Sequence, residues 1–132
     1  MNENLILKYY NHNKNNYEIY KAIKDSEYKS NGYYYISYLL PCKDYRENVG
    51  IKANFIKITI YYTSNSYELY LEPFNKENNV SRFANGQVFK YIHKDKTLRL
   101  SYKKIKDLIQ ILEINFKGFI NAFLEINKNI EI

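Results

Sequence analysis

One cysteine, two prolines, four glycines and no tryptophan are all that this chain of 132 residues carries of four informative residue types. Cys42 stands alone, which excludes an intramolecular disulfide and a cysteine metal cluster. The scarcity of Pro and Gly, beside 45% hydrophobic residues, excludes a linker-rich or disordered chain. Gly32, Gly50, Gly86 and Gly118 are far apart, so no glycine-rich loop is present to cradle a phosphate. No apolar run approaches the ~18 residues that a membrane-spanning helix needs. The start, Met1-Asn2-Glu3-Asn4-Leu5, lacks the basic and then apolar pattern of a signal peptide, and the last residues carry no lipidation signal. These absences predict a soluble protein, cytoplasmic or otherwise intracellular, with no membrane association, no cofactor and no metal. The length predicts a single domain over residues 1–132, able to bury roughly two-thirds of its unfolded surface.

What the chain has in abundance is Asn, Lys, Ile and Tyr, with sixteen of the last. All four have A/T-rich codons, so many of the tyrosines read as default large hydrophobics. Polar punctuation cuts the chain into short segments. Asn11 to Asn16 separates two strands, Leu5 to Tyr10 and Tyr17 to Ile23. Asp25 to Gly32 reads as a loop or a frayed helical turn. Tyr33 to Leu40 reads as a strand that stops at Pro41, and Cys42 to Gly50 as a polar connection.

The clearest β pattern is Phe55 to Tyr62, with Ile56, Ile58, Ile60 and Tyr62 on one face and Lys57, Thr59 and Tyr61 on the other. Thr63-Ser64-Asn65 turns the chain, and Tyr67, Leu69 and Leu71 continue the period, with Glu68, Tyr70 and Glu72 between them. Asn75 to Asn85 is a polar loop with Val80 and Phe83 as anchors. Val88 to His93 and Thr97 to Leu100 read as strands around a turn at Lys94-Asp95-Lys96. Their predicted inward residues are Val88 and Ile92 on the first, Leu98 and Leu100 on the second.

Ser101 to about Asn127 has the period of a helix: Ile105, Leu108, Ile109, Leu112, Phe116, Phe119, Ile120 and Phe123 step by three and four. Ser101 suits an N-cap, and Leu100 with Ile105 has staple spacing. Gly118, inside the pattern, costs about 1 kcal/mol relative to Ala and points to a kink or a close contact with the sheet. Ile111, Ile114 and Leu124 widen the apolar stripe, which points to a homodimer or partner surface on this helix. The expected fold class is α+β, a mostly antiparallel sheet of about five to seven strands packed against one long C-terminal helix.

The charge is uneven. From Arg82 to Lys106 the chain carries Arg82, Lys90, Lys94, Lys96, Arg99, Lys103, Lys104 and Lys106 against the single acid Asp95. That is +7 of a total of +6, so the remainder sums to −1. The helix start, Ser101-Tyr102-Lys103-Lys104-Ile105-Lys106, has no acid before Asp107, although unpaired N–H groups and about half a positive charge at a helix N-terminus favour acids. An anion docked there turns the same groups into a phosphate site. Phe89, Tyr91 and Tyr102 lie beside it in sequence as stacking faces. A solvated lysine face, or lysines that guard sheet edges, gives the same pattern.

No catalytic constellation is visible. Cys42 reads as a small buried hydrophobe, His12 as a solvated loop residue and His93 as a strand-end residue within the basic stretch. Glu68 and Glu72 share a strand face on which cross-strand Lys57 accounts for at least one of them. No enzyme is expected. The order of hairpin, two strands and long helix from Phe55 through Asn127 resembles the strand-rich, helix-terminated unit of the whirly and Pur families of single-stranded nucleic-acid binders. The resemblance lies in element order over about half the chain. The leading expectation is thus a single-stranded DNA- or RNA-binding domain that holds phosphates with Arg99, Lys103 and Lys104. Arg82, Lys90, Lys94, Lys96 and Lys106 widen that patch, and Phe89, Tyr91 and Tyr102 stack on bases. The alternative is a small viral or mobile-element inhibitor that docks on a host or defence protein, for which many tyrosines are suited.

Overall fold

The computed structural model describes residues 4–30, 33–47, 49–63, 66–77, 80–81, 87–94 and 102–132, with backbone alone at 62, 63, 66, 80, 81, 93, 94, 102–105, 107 and 108. The first hairpin joins β1 (Asn4–Asn11) to β2 (Asn16–Ser30). Its turn is set by Asn11, whose Oδ1 accepts the N–H groups of Asn13 (3.1 Å) and Lys14 (3.4 Å), and by Asn15, which takes φ 51°. β3 (Tyr33–Pro41) pairs with β2, then β5 (Phe55–Thr63) with β3, and β6 (Ser66–Asn75) with β5. The far edge of β6 is shared by β7 (Val80–Ser81) and β8 (Phe89–Lys94). Seven antiparallel strands thus fill six positions of one curled sheet.

The helix α1 (Tyr102–Ile126) lies on one face of this sheet. Leu112, Phe116, Ile120 and Phe123 are buried there against Leu7, Ile36, Ile58 and Leu71, as the three-and-four spacing predicts. The period-two reading of β5 and β6 also holds: Ile56, Ile58, Ile60, Leu69 and Leu71 are buried, with Ile58 paired to Leu71 and Ile60 to Leu69. The curl brings the helix near β1 at one edge and near β6 and β8 at the other. Ile111 is half-buried and Leu124 packs on the core, leaving Ile114, 81% exposed, as the outward part of the wide stripe.

Beyond the helix, β9 (Ile130–Glu131) pairs with β4 (Lys43–Asp44), a short strand inside the expected polar connection. Asn127, 2% exposed, holds the segment that leads into β8. Its Oδ1 accepts from the Gln87 N–H (2.9 Å), and its Nδ2 donates to the Gln87 carbonyl (2.9 Å). One side-chain amide therefore does for Gln87 what a neighbouring strand would do.

Three expectations need correction. Residues 25–30 are not a loop or helical turn: β2 continues to Ser30, with a bulge between Lys24 and Ser26, because β3 supplies its ladder partners. β8 presents the opposite parity to the one expected. Phe89 and Tyr91 pack on Phe119 of the helix (5.9 and 5.2 Å between centroids), and Ile92 is exposed. Two aromatic rings cover more of the helix than Val88 and Ile92 would. Gly118 makes no close contact with the sheet: it is exposed, and a Cβ there would meet nothing within 4 Å. The expected strand Thr97 to Leu100, the Ser101 cap, the Leu100–Ile105 staple, the Phe83 anchor and the turn residues Ser64 and Asn65 lie outside the described residues.

Candidate docking face

The sheet face turned away from the helix carries the chemistry that can meet a partner. Tyr28 on β2 is paired with Tyr35 on β3, and Tyr35 with Tyr61 on β5. Direct cross-strand positions bring side chains within about 5.5 Å, so these three rings stand side by side. Tyr28 and Tyr35 stack at 6.1 Å and 26°, Tyr35 and Tyr61 at 5.7 Å and 14°. Tyr33 meets Tyr28, Tyr35 and Tyr61 edge-on, and its hydroxyl donates to that of Tyr61. Tyr61 reaches Tyr70 on β6 at 6.2 Å and 71°. Tyr70 donates to Glu68 and lies under the Lys90 ammonium, 5.2 Å from the ring centroid. A row of tyrosines therefore crosses four strands and ends in a lysine on the next.

Tyr35, Lys57, Thr59, Tyr61, Tyr70 and Glu72 line a shallow hollow of about 500 Å³ in the middle of this face. Lys57 and Glu72 stand directly opposite each other, and the Lys57 ammonium lies 4.8 Å from the Phe74 ring. The hollow thus mixes ring edges, hydroxyls and one charge of each sign. Hydrogen bonding to Tyr61 pushes the Tyr33 hydroxyl up to about 12.

At the other end of the face the surface is aliphatic. Ile6 on β1 and Tyr17, Ile19 and Ile23 on β2 are 45%, 69%, 63% and 51% exposed. Lys8 and Lys21 are exposed between them, with Ile6 paired to Lys21 and Lys8 to Ile19. Single exposed apolar residues are ordinary; four grouped on one sheet face make it the candidate contact surface of the described residues.

Of the residues expected to bind nucleic acid, the four with described side chains do not share one surface. Lys90 is exposed on the helix-free face. Lys106 is exposed on α1, on the other side of the sheet. Phe89 and Tyr91 are turned toward the helix, where Phe119 covers them, instead of offering free rings. Arg82, Lys96 and Arg99 lie outside the described residues, as do the side chains of His93, Lys94, Tyr102, Lys103 and Lys104. The first turn of α1 holds no acidic residue.

Cys42 is half-buried against the core, and burial above all pushes its thiol up to about 12, as suits a packing residue. His12 packs edge-on against Tyr10 in the exposed first turn. Among the described residues no group of three or more His, Cys, Asp and Glu is placed to hold a metal, and no helix is long and apolar enough to cross a membrane.

The tyrosine row and the Ile6–Ile23 patch escaped sequence reasoning. Alternation put Tyr61 and Tyr70 on the outward faces of their strands, but only the pairing register joins them to Tyr28, Tyr33 and Tyr35. In comparisons with known proteins no family model, no curated protein and no solved structure matches this chain, so the likeness in element order to whirly and Pur units has no structural match behind it.

Proposed function

We propose that this protein is a non-enzymatic binding module that docks a protein partner on the helix-free face of its sheet. The observation that carries this reading is the exposed group Ile6, Tyr17, Ile19 and Ile23, on the same face as the tyrosine row. Phosphates offer nothing that covers isoleucine, and bases do so only where they are unstacked onto it, whereas a protein surface covers several at once with its own apolar side chains. Burying one such side chain fully contributes about 1.5–3 kcal/mol. The tyrosines add contact area at little entropic cost, because stacking on one another already fixes their rings.

Photo-cross-linking tests this. Tyr17 is replaced by p-benzoylphenylalanine in cells that express the protein. A discrete protein adduct is expected, lost when Ile19→Glu and Ile23→Glu are added to a domain whose circular dichroism is unchanged. No adduct, or one indifferent to those changes, rejects the reading.

A second reading, single-stranded nucleic acid, is favoured by one observation. Lys90, from the stretch that carries +7, emerges beside Tyr70 on this same face.

A further inference from the structure

Resting on the protein-docking reading, we infer that the β1–β2 end of the face receives an amphipathic helix with acidic residues along both borders of its apolar stripe. The pairing register lays the outward residues in four levels: Asn4 beside Ile23, Ile6 beside Lys21, Lys8 beside Ile19, and Tyr10 beside Tyr17. Read from one end, the apolar residues run Ile23, Ile6, Ile19 and then the Tyr10–Tyr17 pair, crossing between the strands at each level. Tyr10 and Tyr17 meet edge-on at 5.1 Å, which closes the run. Lys21 stands beside this zigzag on the β2 side and Lys8 on the β1 side. The result is an apolar track with one cation on each flank.

Length and charge select the occupant. From Tyr17 to Ile23 a strand spans about 20 Å, the length of roughly 13 residues of α-helix. A surface helix has an apolar stripe about 100° wide, which matches a track two strands across. None of the eight outward positions carries a carboxylate, and the next acid along β2 is Asp25 at the bulge. Glu18 lies between these positions in sequence but on the opposite face, bonded to Tyr9 and Tyr20. Two copies of the track would gather four lysines with no counter-charge, which disfavours self-association. Acidic borders on an incoming helix pair with Lys8 and Lys21 while its stripe covers the isoleucines.

The test uses an 18-residue peptide with leucines at helical spacing and glutamates on both borders, beside a control in which each glutamate is lysine. Each is titrated at physiological salt into the isotope-labelled full chain. The glutamate peptide is expected to bind at least tenfold more tightly, to shift amide resonances of residues 4–11 and 16–23, and to gain helical circular dichroism. Lys8→Glu with Lys21→Glu, both on exposed side chains, is expected to reverse the preference. Equal affinities, no binding, shifts confined to the tyrosine hollow, or equal engagement of the same residues by vesicles of phosphatidylserine would each overturn the inference. If the Tyr17 cross-link persists while the peptide fails, docking stands and this occupant falls; if both fail, both fall.

Discussion

Glu18 shows how one side chain can hold the first hairpin together. One carboxylate oxygen accepts from Tyr9 (2.9 Å) and Tyr20 (2.7 Å), the other from Asn11 (2.9 Å) and Lys14 (2.8 Å). Lys14 first, then Tyr20, Asn11 and Tyr9, pull the carboxyl down to about 2 from its ordinary 4.5. A carboxyl whose folded pKa lies below its unfolded value stabilises the fold above the unfolded value, and this stability is lost as pH falls through the folded one. Wild type should therefore exceed Glu18→Gln in urea midpoint by a constant margin above about pH 5, and the margin should close between pH 4.5 and about 2. A margin that persists to pH 2 would show that the hydrogen bonds, not the charge, matter. The tyrosines around Glu18 also lean on the helix, with Tyr9 and Tyr20 at 6.4 and 5.9 Å from Phe116, so the hairpin and the core share this cluster.

Among the elements, the two-residue strands carry more than their length suggests. β4 and β9 tie the chain after the helix to the connection between β3 and β5, assisted by the Tyr45 N–H on the Asn129 carbonyl at 2.7 Å. Asp44 sits at the centre, its side chain fully covered. It accepts from the N–H groups of Arg46 (3.0 Å) and Ala53 (2.8 Å), and from the Arg46 guanidinium at 2.9 and 2.7 Å. Burial alone would raise its pKa, but Arg46 and the two N–H groups outweigh burial and hold it below the usual range. Removing one partner of a buried pair leaves the other charge uncompensated. Asp44→Ala should lower unfolding free energy by about 3–5 kcal/mol, read from urea denaturation. A loss near zero would mean that Arg46 finds other partners.

The same scale shows what could be read from residues alone. β5 and β6 were legible because apolar and polar residues alternate without exception from Ile56 to Ile60, and from Tyr67 to Leu71 with Tyr70 as the one break. The far half of β2 was not: Lys24, Asp25, Ser26, Glu27, Lys29 and Ser30 are polar on both faces, and only pairing with β3 holds them extended. β8 offered apolar residues at both parities, Val88 and Ile92 against Phe89 and Tyr91, and packing on Phe119 decides between them. The candidate docking face was the least legible part, since stacking across strands depends on register, which the period of two leaves open.

At the scale of the whole molecule, the charge excess and the exposed apolar face are separate properties. A charge of +7 concentrated on residues 82–106 attracts any polyanion, and such attraction fades steeply with salt. Fluorescence anisotropy with labelled single-stranded DNA, single-stranded RNA and duplex DNA should show association at low salt that is lost by physiological salt. Binding that survives physiological salt and is abolished by Lys103→Glu with Lys104→Glu would replace the protein reading with the nucleic-acid one. Within the seven-stranded sheet every strand but β8 pairs with the sheet strand before or after it in the chain, so that sheet can grow largely hairpin by hairpin as the chain leaves the ribosome. The layer that covers its apolar side, however, is translated only after all seven of these strands. At about 5–20 residues per second, the 25 residues of α1 take on the order of one to five seconds to synthesise. For that interval the strands already made have no helix over Leu7, Ile36, Ile58 and Leu71, and the side of the sheet that becomes the core stands open to water.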